Sequence, residues 1–146
     1  MAVLKSDQIT NLDAIPQVLG DPREFGGRIR TAYFSFTVPT GDAATSDTVQ
    51  LTKVPSGARI MGGWFAAEAM TTAGGDASIQ IGDGTTAAKY LGTTSVDAAA
   101  EADFAHTVAL NFGEKLTSEL VLTATVITEA WAATKKLTGW VRYVVD

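Results

Sequence analysis

From Arg28 onward, apolar and polar residues alternate at every second position. "RIRTAYFSFTV" sets Ala32, Phe34, Phe36 and Val38 against Thr31, Tyr33, Ser35 and Thr37. "DTVQLTKV" sets Val49 and Leu51 against Thr48, Gln50 and Thr52, and "ASIQIGD" sets Ile79 and Ile81 against Ser78 and Gln80. Farther on, "SELVLTATVIT" carries Leu120, Leu122, Ala124 and Val126, and "LTGWVRYVVD" carries Leu137, Val141, Tyr143 and Val145. Successive side chains of a strand point to opposite sides, so each segment predicts a strand with one face in a core. "ARIMGGWFAAEAM" is apolar on both faces, and its Gly62-Gly63 pair predicts a bulge or bend. "DFAHTVALNFG" places Phe104, His106, Val108, Leu110 and Phe112 on one side, and "AAKYLGTT" adds a weaker strand.

These make about eight strands, separated by the turn-forming sequences "PTGD", "VPSG", "TAGGD", "GDG" and "NFGEK". "SVDAAAEADF" holds good helix formers but has length for only a single turn. Short strands at this spacing with no helices between them predict an all-β, antiparallel sandwich or barrel. No internal repeat is evident.

Residues 1–27 differ from the rest. Leu4, Ile9, Leu12, Ile15, Val18, Leu19 and Phe25 lie there without sustained periodicity. Pro16 and Pro22 each remove a backbone donor and bias the preceding residue toward extended geometry. An extended arm is expected at 1–27 and one domain at 28–146. Each exposed leucine or isoleucine forfeits about 1.5–3 kcal/mol relative to burial, so the arm is expected to pack on its own domain or on a neighbour.

The 146 residues suit one domain with a real core and no staples. The chain has no cysteine, so disulfides and thiolate metal sites are excluded. A formal charge of −5 gives little of the phosphate attraction that drives nucleic-acid binding. No secretion signal and no apolar run of membrane-span length is seen, so neither nucleic acid nor membrane is expected as a partner. Low charge, 18%, with abundant alanine, glycine and threonine suits a surface turned toward other protein.

Candidate chemistry is sparse. "SIQIGDGTTAAKYLG" resembles a phosphate loop only in outline: Lys89 follows Ala88, Tyr90 stands where a magnesium-binding hydroxyl belongs, and Ala87 replaces the third glycine of a dinucleotide turn. "GDG" therefore predicts a tight turn. Asp76 and Asp83 lack calcium-loop spacing. The sole histidine, His106, alternates with Phe104 and Val108, as a packed or interface residue would. No G-x-S-x-G elbow accompanies it. A carboxylate pair for glycoside hydrolysis is open among sixteen acids, most of them in turns or at strand ends. Trp64 and Trp140 fall in strands, as core or subunit contacts. Trp131, in the loop "TEAWAATKK", divides between a partner contact and packing, with sugar stacking beside Tyr90 a lesser option. No catalytic residue, cofactor, metal or small-molecule substrate is expected.

The order "YFSFTVP", "DTVQLTKVPSGARIMGGWFAAEA", "SIQIGDGTTAAKYLGTTS", "AATKKLTGWVRYVVD" resembles the head decoration, or cement, proteins of tailed bacteriophages. The likeness runs over most of Arg28 to Asp146 and is strongest at "KVPSGARIMGG" and "LTGWVRYVVD". It rests on strand and turn pattern, with no invariant catalytic signature. The resemblance implies a jelly-roll-like β-sandwich, made in the host cytoplasm and placed on the capsid exterior. It implies dimers or trimers that bridge neighbouring copies of the phage major capsid protein. Interface candidates are the apolar arm residues Leu4, Ile9, Leu12, Ile15, Val18, Leu19 and Phe25, together with Arg28 and Trp131. Other readings are a tail or head–tail component, a carbohydrate-binding module for host adsorption, and a small hydrolase. The chain is short for a major capsid protein and has no long helical segment.

Overall fold

A computed structural model describes residues 28–41, 43–72, 75–105 and 113–145. The apolar arm residues expected at an interface, and His106, Val108, Leu110 and Phe112 of the strand predicted there, lie outside that set.

The strands are β1 (Arg28–Thr37), β2 (Thr48–Val54), β3 (Arg59–Ala67), β4 (Ser78–Gly82), β5 (Leu91–Ser95), β6 (Ala100–Phe104), β7 (Leu120–Ile127) and β8 (Lys136–Val145). They form two four-stranded sheets, β1-β8-β3-β6 and β2-β7-β4-β5. Every hydrogen-bonded strand pair is antiparallel.

This order has a simple origin. First pairs with last, second with seventh, third with sixth and fourth with fifth, as in one long hairpin whose rungs alternate between two layers. The β3–β8 and β4–β7 pairings then complete each sheet. The result is the eight-stranded jelly roll of two Greek keys.

The alternation read from sequence holds along β1, where Phe34 is buried, Ala32 and Phe36 are partly buried, and Thr31, Tyr33, Ser35 and Thr37 are largely exposed. In β2 the simple period fails. The register with β7 shifts between Gln50 and Thr52, leaving Leu51 as the extra residue. Parity reverses after that bulge, so Val54 is buried and Lys53 turns outward to meet Glu119 at 2.9 Å. β3 repeats the device where the glycine pair predicted it. Its register with β8 shifts between Ile60 and Gly62, Met61 is pushed outward, and Gly62 takes φ 138°, a value that side chains resist.

Between the sheets lie Phe34, Phe65, Phe104, Leu137 and Val141 from one layer and Ile79, Ile81, Leu122 and Val126 from the other. Gly63 leaves room for the Phe104 ring, and Gly139 for the Phe34 ring. One expectation is corrected. Ala100–Phe104, the end of the stretch expected to make a helical turn, is strand β6. Pairing with β3 from Gly63↔Phe104 to Ala67↔Ala100 outweighs the helix propensity of isolated alanines.

Candidate interaction surface

The glycine-rich loop after β4 is closed to phosphate. Asp83 fills the cradle itself: its Oδ1 accepts hydrogen bonds from the amides of Thr85 at 3.0 Å and Thr86 at 2.7 Å. Gly84 takes φ 84°, which supplies the tight turn expected of "GDG". Lys89 lies between two acids, with Nζ 3.3 Å from Asp83 and 3.4 Å from Glu114, and 5.5 Å from the Tyr90 ring centroid. A lysine so matched has little charge to offer an anion.

These groups line a polar cleft of about 400 Å³. Burial pushes the Asp83 carboxyl up, but the Thr86 and Thr85 amides and the Lys89 ammonium outweigh it and hold the group below 3.8. A depressed carboxyl stabilises the fold fully above its unfolded value and loses that contribution as pH falls through the folded one. Asp83→Asn is therefore expected to flatten the loss of stability below about pH 4, followed by urea unfolding at stepped pH. Among the described residues no cluster of three or more His, Asp or Glu side chains is placed to hold a metal.

Trp131 is corrected from partner contact to packing. It is fully buried, and its indole Nε1 donates to the Ser78 carbonyl at 3.2 Å. Its backbone exchanges two hydrogen bonds with Ala43, at 2.8 and 3.1 Å, and Ala132 N donates to Met70 O. The loop thus closes one end of the sandwich and the indole plugs it. Tyr90 is fully buried as well, so neither ring presents a face to a sugar.

The exposed aromatics lie elsewhere. On the outer face of the β1-β8-β3-β6 sheet, Tyr33, Trp140, Trp64 and Asp103 are opposite one another in register, one from each strand. Tyr33 is 76% exposed, and both tryptophans are half-buried. The Arg142 guanidinium lies 4.3 Å from the Trp140 ring centroid, within cation–π reach. Ile29 and Met61 extend the patch, at 67% and 38% exposure. Glu101 and Asp103 border it on β6. Arg28, the interface candidate among the described strands, is exposed at the start of β1 opposite Val145.

Sequence placed Trp64 and Trp140 in strands and Tyr33 on the polar face of its own. That the three form one row depends on register, which no single strand encodes. Tyrosine, tryptophan and arginine together are the residues that most often carry binding energy in protein interfaces.

A jelly-roll sandwich with an aromatic outer face thus defines the class. No protein-family model matches the chain, and no curated protein matches it. Among solved structures the fold recurs in a chain of the cyanophage Pam1 capsid asymmetric unit, with TM-score 0.73 and 21% identity over 92% of this chain and 97% of that one. It recurs in the capsid of Ralstonia phage GP4, with TM-score 0.70 and 17% identity over 82% and 86% of the two chains. The acid-stable capsid of Helicobacter pylori bacteriophage KHP30 holds another such chain, with TM-score 0.60 and 20% identity over 82% and 90%. At these identities the likeness is one of fold.

Proposed function

We propose that this protein is a structural component of a tailed-phage virion: a decoration protein that binds the capsid exterior and bridges neighbouring major capsid subunits, without catalysing a reaction. The observation that carries this reading is the match, over nearly all of both chains, to a capsid chain of about the same length. The neighbour is therefore a small sandwich within a capsid and leaves no room for a large additional shell domain. The filled glycine loop and the buried Tyr90 and Trp131 support the same reading, since the loop offers no open phosphate cradle and neither of those two rings offers a face to a sugar.

The physical task is one of linkage. A protein that binds the expanded shell and not its alternatives stabilises that shell at each site by RT ln(1 + L/Kd), where L is its free concentration. Many copies on a symmetric lattice add avidity, so a modest single contact is enough. In this reading copies self-associate as dimers or trimers, and the arm at residues 1–27 contributes its aliphatic side chains to a neighbouring subunit.

The test is co-sedimentation of purified protein with expanded, DNA-free heads that lack tails. Saturable pelleting with such heads is expected. Pelleting only with tailed particles would favour a tail component instead. Deleting Met1 to Gly26 is expected to leave the sandwich folded by circular dichroism and to weaken head binding at least tenfold. Unchanged occupancy of the truncated protein would remove the arm from the mechanism.

A further inference from the structure

We propose that the polar cleft between the turn after β4 and the segment leading into β7 receives a guanidinium group, supplied by an arginine side chain of the capsid subunit that the chain binds. The chemistry of the cleft stands independently; only the source of the arginine rests on the reading above.

Both walls are fixed by the fold. The Tyr90 amide donates to the Ile81 carbonyl and the Tyr90 carbonyl accepts from the Ala105 amide, each at 2.9 Å. Opposite, the Leu116 amide donates to the Ala58 carbonyl and its carbonyl accepts from the Gly57 amide, each at 2.8 Å. The volume between them, about 400 Å³, lies within the roughly 300–1,000 Å³ common for small-ligand sites.

Two polar atoms there lack a hydrogen bond. Tyr90 is fully buried, and its hydroxyl has no hydrogen-bond partner among the described residues. Glu114 Oε2 is also buried and receives no hydrogen bond, although it lies 3.4 Å from the Lys89 ammonium. Such atoms are uncommon in native folds, and each carries a desolvation cost that a matching ligand removes. An ionised carboxylate can only accept, and a phenol can accept too, so the matching ligand is a donor. Burial raises the Tyr90 phenol against the opposing pull of Lys89, which keeps the hydroxyl neutral.

Charge selects a cation. At the floor one ammonium, Lys89, faces two carboxylates, Asp83 at 3.3 Å and Glu114 at 3.4 Å. Lys115 and Glu119 are exposed at the rim, and Lys53 pairs with Glu119 at 2.9 Å. A second ammonium would be another compact, strongly hydrated point charge beside Lys89. A guanidinium is flat, weakly hydrated and has five donors, so one group can serve both acceptors.

The test is titration of the full chain with N-acetyl-arginine amide at constant ionic strength, followed by proton–nitrogen NMR. Saturable shifts are expected at the Tyr90 and Glu114 amides, with weaker binding of the N-acetyl-lysine amide. Glu114→Gln is expected to weaken binding at least tenfold and Tyr90→Phe about fivefold. Tyr90→Phe is also expected to melt at or above the wild-type temperature, because it removes a buried hydroxyl that the fold leaves unpaired. No saturable shift, equal affinity for both amides, a response to calcium chloride in place of arginine, or a destabilised Tyr90→Phe would each overturn the proposal. Co-sedimentation with tail-free heads tests the source: Glu114→Gln is expected to pellet at least tenfold more weakly than wild type. Equal pelleting would overturn the capsid arginine as the occupant. Wild-type protein that fails to pellet would count against the decoration role, while the NMR titration would still decide the chemistry of the cleft.

Discussion

Trp131→Ala is expected to lower the free energy of unfolding by about 3–5 kcal/mol, the range for truncating a buried large aromatic. The indole is fully buried; the Trp131 backbone bridges to Ala43, and the ring nitrogen reaches β4 at Ser78. Its removal leaves a cavity at the end of the sandwich and strands the Ser78 carbonyl, which accepts the indole hydrogen bond. Collapse of the loop into the void is opposed by its backbone bonds to Ala43 and Met70. Thr128 and Thr134, on either side, are held at φ 70° and 65°, in a region where β-branched residues are rare. A loop so constrained relaxes little, which puts the cost toward the upper end. Against a typical total of about 5–15 kcal/mol, a loss at that upper end removes from about a third to all of the stability. Urea unfolding followed by far-ultraviolet circular dichroism gives the value, with the exposed Thr31→Ala expected within about 0.5 kcal/mol of wild type. A cost below about 1 kcal/mol for Trp131→Ala would contradict the packing described.

Gly139→Ala is expected to cost about 1–3 kcal/mol or more, although it adds a single methyl group. A Cβ at that position runs into the Trp64 carbonyl oxygen and the Phe34 ring. The ring has a flexible link to its backbone, but the carbonyl belongs to the neighbouring strand and moves only if β3 and β8 separate. Gly92→Ala makes the same chemical change in β5 where no atom lies within 4 Å, and is expected to be near neutral. Thermal melts of the two variants, measured side by side, distinguish a steric cause from a general intolerance of alanine for glycine in strands. Equal shifts would sink the steric account.

Much of the architecture was legible because one face of most strands is buried, which forces alternation into the sequence. Phe34 against Tyr33 and Ile79 against Gln80 show it directly. The Gly62-Gly63 pair announced the bulge in β3, since few other residues take the required backbone angle. The bulge at Leu51 had no such marker, and it reverses the facing of Lys53 and Val54. The strand at Ala100–Phe104 was hidden because its stability comes from pairing with β3, whose residues lie far back in the chain but adjacent in the sheet, and not from local propensity.

The surface was less legible than the core. Trp131 has the sequence surroundings of an exposed loop anchor, and only long-range bonds to Ala43, Met70 and Ser78 reveal it as a plug. Tyr33, Trp64 and Trp140 are separated by long stretches of chain, and their alignment is fixed by the pairing of first with last strand. Asp83 was recognisable as a turn residue, but its capture of the Thr85 and Thr86 amides required coordinates. Chemistry that depends on register or on long-range contact leaves little trace in any one segment.

The most direct measurement is the temperature at which expanded, tail-free heads break open, with and without the purified protein at saturating concentration. An adhesive that holds neighbouring shell subunits together raises that temperature in step with occupancy. Heads that bind no protein, or that bind it and rupture at an unchanged temperature, would contradict the claim that this chain works by fastening a capsid.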